Sequence, residues 1–242
     1  MKQKKRVFRI ILAVLVLLVF ACGGYLCDYY HAEPEALEVF APVGVIGTET
    51  TEEGDRVFGA KDADVGFIFY PGGKVESLAY VPLMRELTEK GVLCVLVEMP
   101  FHLAVFDMDA AEGIPQQYPE IERWYIGGHS LGGSMAAAYV SECPDAFEGL
   151  VLLGSYSTAD LAETDLQVLS VYGSEDQVLN RENYEESKKN LPRDFEEVIL
   201  EGGCHANFGM YGAQKGDGTP TMTREEQITL TADAFAAMAG LQ

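Results

Sequence analysis

Ser130 lies in Gly128-His129-Ser130-Leu131-Gly132, a Gly-x-Ser-x-Gly pattern whose chemistry is nucleophilic. The flanking glycines let a chain turn sharply from strand into helix, so that the serine side chain stands above the sheet. A serine hydroxyl is a weak nucleophile: it needs a general base within reach, and the base needs an acid to orient it. The histidines are His31, His102, His129 and His205. His205, in Gly202-Gly203-Cys204-His205, is the candidate base. His31 stands beside the N-terminal apolar segment. His129 occupies the x position of the turn, where its side chain is expected to point away from the base slot. His102 is expected to line the pocket or hold its own loop. Asp176, in Tyr172-Gly173-Ser174-Glu175-Asp176, is the candidate orienting acid, with Glu175 its main rival. Asp160 and Asp165 follow the preceding strand and are weaker choices. A tetrahedral intermediate calls for two preorganised backbone N–H donors. Leu131, after the serine, is expected to supply one. Pro71-Gly72-Gly73-Lys74 supplies the other, through Gly73 or alternatively Lys74.

The elements that must position these residues are legible from apolar runs and breakers. Val65–Tyr70 and Val92–Val97 are continuous apolar runs, as strands buried on both faces require. Trp124–Ile126, Leu150–Leu153, Val168–Tyr172 and Glu196–Leu200 read as further strands. Helices are expected over Pro82–Lys90, Ala110–Gln117, Leu131–Glu142, Glu182–Asn190 and Thr223–Ala239, with Gly91 and Pro144 as stops. The helix after Ser130 is rich in small residues, which permits close approach to a sheet. Val43–Thr51 and Arg56–Ala60 read as an opening hairpin around Glu53-Gly54-Asp55. Strands alternating with helices imply an α/β fold, with a mostly parallel sheet covered on both faces. Gly73, Ser130, Asp176 and His205 then all follow carboxyl ends of strands, where sites in open α/β sheets assemble. The short connection from Gly154 to Gln167 leaves little room for a lid domain.

Together, Tyr70-Pro71-Gly72-Gly73, the Gly-His-Ser-Leu-Gly-Gly turn, Tyr172–Asp176 and Gly202–His205 resemble the α/β-hydrolase superfamily. They look closest to its small, lidless fold-5 branch, which is similar to dienelactone hydrolases. The resemblance spans Val43 to the C-terminus and includes Phe208–Gly212 and Gly216–Gly218, expected to form a loop packed near His205. It implies the α/β-hydrolase fold without a large lid, and the chain order Ser, Asp, His that Ser130, Asp176 and His205 follow. It implies an acyl-enzyme mechanism on carboxylic esters or related acyl bonds in small-molecule substrates, with no cofactor and no metal. Acyl transfer by the same triad, and a non-catalytic binding module on this scaffold, are the alternatives. Two positions depart from the pattern. Pro71 stands where many relatives carry a histidine before the oxyanion loop, and serine stands where dienelactone hydrolases use cysteine.

The N-terminus tells a separate story. Lys2, Lys4, Lys5, Arg6 and Arg9 precede an uncharged apolar run from Ile10 to Leu26, 17 residues long. That run reaches the lower end of the length needed to cross a bilayer. Basic residues stay cytoplasmic, so the rest of the chain is expected outside the membrane. An uncleaved anchor, a cleaved signal peptide and a lipoprotein signal at Val19-Phe20-Ala21-Cys22 all share this layout. Residues 1–30 are therefore read as a signal-anchor or signal segment, 31–42 as a linker and 43–242 as the α/β domain. No acid occurs before Asp28, which leaves 12 basic against 38 acidic residues in the remainder, a net of −26. Such a surface repels phosphate backbones and argues against nucleic-acid binding. The five cysteines form no CxxC and no zinc-like spacing with histidine.

Overall fold

The computed structural model describes residues 2–38 and 48–241. The chain opens with α1 (Lys2–Cys27) and the short α2 (Pro34–Glu38). The strands are β1 (Thr48–Thr50), β2 (Arg56–Phe58), β3 (Val65–Tyr70), β4 (Val92–Leu96), β5 (Arg123–His129), β6 (Gly149–Leu153), β7 (Gln167–Gly173) and β8 (Glu196–Leu200). Between and after them come α3 (Val81–Glu89), α4 (Ile114–Gln117), α5 (Leu131–Val140), α6 (Arg181–Ser187) and α7 (Arg224–Met238). The strands form one sheet in the order β1-β2-β4-β3-β5-β6-β7-β8. β1 and β2 are the expected hairpin, and β2 pairs antiparallel to β4; every other pair is parallel. The first part of the expected hairpin, residues 43–47, lies outside the described residues, as does the end of the expected linker, residues 39–42.

Alternation along the strands builds two cores. Val65, Phe67 and Phe69 of β3 point to one face, where they meet Leu83 and Met84 of α3 and Phe235 of α7. Ile68 and Tyr70 point to the other, toward Ala136, Ala137 and Val140 of α5 and Ile114 of α4. This two-sided cover explains why the central strands are apolar without a break. No helix fills the connection between β6 and β7, and no large lid is present among the described residues. The expected helix at Ala110–Gln117 is shorter than predicted, because Gly113 takes a left-handed conformation (φ 77°) that starts the helix only at Ile114.

The strand order has a direct consequence. From β3 the chain runs outward to β4, then returns across β3 to β5 on its other side. The connections after β3 and β5 therefore diverge and leave a crevice at the carboxyl ends of these strands. Gly72-Gly73 and Ser130 sit at that crevice, with Tyr70 of β3 in register with Gly128 of β5. α5 packs tightly beneath it: a Cβ on Gly132 would collide with the carbonyl oxygens of Tyr70 and Pro71.

Candidate active site

Ser130 is the residue between β5 and α5, and its backbone is strained (φ 53°, ψ −122°). Such a conformation in a non-glycine residue costs on the order of 1–3 kcal/mol and persists only where neighbours enforce it. β6 and its following loop do so. The Ser130 N–H donates to the Leu153 carbonyl at 2.9 Å, and the Ser130 carbonyl accepts from Ser155 Oγ at 2.7 Å. Ser130, Leu131, Ser134, Tyr156, Leu179 and His205 line an open hollow of about 250 Å3.

His205 and Asp176 meet beside that hollow. His205 Nδ1 lies 2.8 Å from Asp176 Oδ2, and both side chains are almost fully buried. The other carboxylate oxygen, Oδ1, accepts the N–H groups of Val178 and Leu179 at 2.9 and 2.8 Å. An ionised carboxylate held this way accepts the Nδ1 proton and leaves Nε2 free to accept another. His205 Nε2 is buried without a hydrogen-bond partner among the described residues. His205 lines the same hollow as Ser130, with no hydrogen bond between the two. Glu175, the rival acid, hydrogen-bonds Ser174 and not His205. Asp160 accepts from Ala162 N in its own turn.

The loop after β3 stands against Leu131. A Cβ on Gly73 would lie 2.9 Å from Leu131 Cδ2 and 3.6 Å from Leu103 Cδ2. The N–H of Lys74 is already committed to the His102 carbonyl at 2.7 Å, so this residue is not a free donor. Among the described residues, no hydrogen bond engages the N–H of Gly73 or, at the first turn of α5, that of Leu131.

His129 is a correction. Its side chain was expected to face away from the base, yet its ring centroid lies 4.5 Å from that of His205. The reason is Tyr80, whose hydroxyl accepts the Gly72 N–H at 3.1 Å and sits 2.8 Å from His129 Nδ1. Burial raises the Tyr80 pKa, so the hydroxyl keeps its proton and its bond to His129 Nδ1 is one between neutral groups. Burial, and secondarily the neighbouring His205, hold the His129 pKa well below the usual histidine range. A buried Tyr–His link therefore ties the β3 loop to the serine turn. The backbone carbonyl of His102 accepts the Lys74 N–H and so joins the loop after β4 to the loop after β3.

Two residues outside the Ser130, Asp176 and His205 set hold the His205 loop, one of them within Gly216–Gly218, the stretch expected to pack near His205. Gln227 of α7 accepts from Cys204 N at 3.0 Å and donates to Cys204 O at 2.8 Å. Asp217 accepts the N–H groups of His205, Ala206 and Gly218 at 3.2, 2.8 and 2.8 Å. The Asp217 contacts match the expectation that Gly216–Gly218 packs near His205, whereas nothing in the local sequence marks Gln227, 23 positions from Cys204. Burial alone would raise the Asp217 pKa, but the N–H donors of Ala206, Gly218 and His205 outweigh it and lower the pKa. A depressed carboxylate contributes stability above its unfolded pKa, lost as pH falls through the folded value. Asp217→Asn is accordingly expected to lower stability by about 1–2 kcal/mol at pH 7. The gap from wild type should close on acidification below about pH 4; urea unfolding at pH 7 and pH 3 measures it, and a constant gap contradicts the expectation. Cys204, beside the histidine, is not a rival nucleophile: burial, then Asp217, push its thiol pKa up to about 11.

The sequence model of the family described as "Alpha/beta hydrolase family" matches residues 66–229. No curated protein sequence matches the chain. Among solved structures, a predicted CIB-like hydrolase from Thermoplasma acidophilum superposes with a TM-score of 0.57 at 16% identity, covering 80% of this chain and 99% of that one. Est1E from Butyrivibrio proteoclasticus gives a TM-score of 0.59 at 12% identity, covering 81% and 100%. A dienelactone hydrolase from Anabaena variabilis gives 0.59 at 13% identity, covering 79% and 98%. At these identities the likeness is one of fold.

Proposed function

The chain belongs to the α/β-hydrolase family, and on that footing we propose that it is a serine hydrolase of carboxylic esters or related acyl bonds, anchored by α1 with its hydrolase domain outside the membrane. The observation that carries the reading is the buried His205–Asp176 pair, whose histidine, with Nε2 unpartnered among the described residues, lines the same hollow as the strained Ser130. Ser130 Oγ attacks the carbonyl carbon while His205 Nε2 takes its proton. The carbonyl π pair moves onto oxygen, and the N–H groups of Gly73 and Leu131 hold that oxyanion. The oxyanion collapses, the bond to the leaving alkoxy oxygen breaks, and His205 returns the proton to it. Water then repeats the sequence on the acyl-serine and releases the acid. Asp176 keeps the Nδ1 proton in place and stabilises the imidazolium formed at each step. A serine hydroxyl and its base commonly draw together only when substrate is bound.

The anchor reading rests on α1, which is long and apolar enough over Ile10–Cys27 to cross a membrane and is not buried against the domain. The basic residues before it support an N-terminus on the cytoplasmic side. A fluorophosphonate probe unable to cross membranes tests both parts on intact cells that express the full chain. Wild type should label and Ser130→Ala should not. Labelling of Ser130 only after lysis overturns the orientation; absence of labelling in both preparations overturns the nucleophile.

A further inference from the structure

Resting on that reading, we infer that the mouth of the site opens at the bilayer surface, and that its substrate is a carboxylic ester resident in the membrane. The first observation is where α1 leads. The chain leaves the apolar span at Cys27 and docks at once beside Gly73. Tyr30 N donates to Lys74 O at 2.7 Å, Glu76 N donates to Tyr30 O at 2.9 Å, and Ala32 N donates to Glu76 Oε2 at 2.9 Å. Lys74 Nζ lies 3.3 Å from Asp28 and 4.1 Å from the Tyr25 ring centroid. Glu33 pairs with Arg224 of α7, and its N–H donates to the Met210 carbonyl at 2.8 Å. The segment after α1 is thus strapped to the oxyanion loop rather than free to swing.

The second observation is what lies next to the strap. The Tyr29 ring packs on His102 at 4.0 Å between centroids. Phe101 and His102 both adopt left-handed backbone (φ 54° and 56°), which turns Phe101 outward, 59% exposed. Val105, Phe106 and Met108 follow, also exposed. Outside α1, seven large hydrophobic side chains are exposed among the described residues, and four of them belong to this one stretch. Such a cluster marks a binding surface.

Distance selects the occupant. Tyr29 is two residues past the end of the span, at most about 7 Å along an extended chain. The polar zone of a bilayer is about 5–7 Å deep on each side. Tyr29 therefore lies in that zone, where tyrosine is favoured, and it carries the Phe101–Met108 ridge with it. The ridge also leads to the serine. Leu103 and Leu131 both border Gly73. Ser134 of α5 lines the hollow at Ser130, and Ala138, one turn along the same face, lines a neighbouring hollow of about 280 Å3 with Val105, Phe106 and Met108. An acyl chain drawn from the bilayer can follow that face to Ser130. Asp109 and Glu142 border the second hollow, so a zwitterionic surface suits the ridge better than an anionic one.

The test uses the full chain in phosphatidylcholine vesicles. Phe106→Trp adds a reporter to a protein whose single tryptophan, Trp124, is buried. Its added emission should be blue-shifted and quenched by brominated phosphatidylcholine. Water-exposed and unquenched emission overturns the inference, as does blue-shifted emission that bromination leaves untouched, the mark of a protein partner. Val105→Gln with Phe106→Gln should slow hydrolysis of a vesicle-embedded ester by about tenfold, the effect of losing buried apolar area at the surface. A water-soluble short-chain ester should be hydrolysed as before. Equal slowing of both substrates, or of neither, overturns the inference. Fluorophosphonate labelling of Ser130 in the same vesicles separates its failure from failure of the hydrolase reading itself.

Discussion

Ser130→Ala is expected to lower ester turnover by about 10⁴- to 10⁶-fold while leaving the protein folded. The substitution removes the one atom that would form the acyl bond. It leaves the backbone contacts that shape the turn, since the Ser130 N–H still reaches Leu153 and its carbonyl still accepts from Ser155. Alanine meets the same positive φ as serine, so the strain is unchanged. Some acceleration over water should persist, because the substitution leaves the proposed oxyanion donors, the N–H groups of Gly73 and Leu131, untouched. The measurement is kcat on a chromogenic short-chain ester, with thermal unfolding as the control. A folded variant within tenfold of wild type would remove Ser130 from the chemistry.

Asp176→Asn should be almost as damaging, by about 10⁴-fold in kcat, with little change in KM. The cause is a tautomer, and the geometry forces it. The N–H groups of Val178 and Leu179 both point at Oδ1. An asparagine must present its carbonyl oxygen there and therefore its NH2 to His205 Nδ1. Nδ1 then becomes an acceptor, the ring proton moves to Nε2, and His205 can no longer take the serine proton. Steady-state kinetics test the loss, and the NMR shifts of the His205 ring test its cause. Normal turnover, or a proton still on Nδ1, would show that Asp176 does not set the tautomer.

The sequence by itself determined the elements and the chemical cast. Unbroken apolar runs specified buried strands, because only a sheet covered on both faces leaves no solvent side to mark. The glycines around Ser130 specified the turn, because other residues do not fit where α5 meets the β3 loop. The order Ser130, Asp176, His205 is the one the resemblance implies, and their position after strands places all three at one edge of a parallel sheet. Contacts between distant segments were another matter. The choice of Asp176 over Glu175 came from which carboxylate reaches His205. The place of His129 came from Tyr80, 49 positions away. Gly216–Gly218 was expected near His205, but the bonds that Asp217 makes there, and the support from Gln227, came from the tertiary structure. The docking of Tyr29 and Tyr30 beside Gly73, at the end of the stretch read as a signal-anchor or signal segment, is of the same kind. Periodicity and turn chemistry act over a few residues and are written locally. Tautomers, loop braces and the approach of the membrane segment to the site depend on which side chains meet in space, and only the tertiary structure decides that.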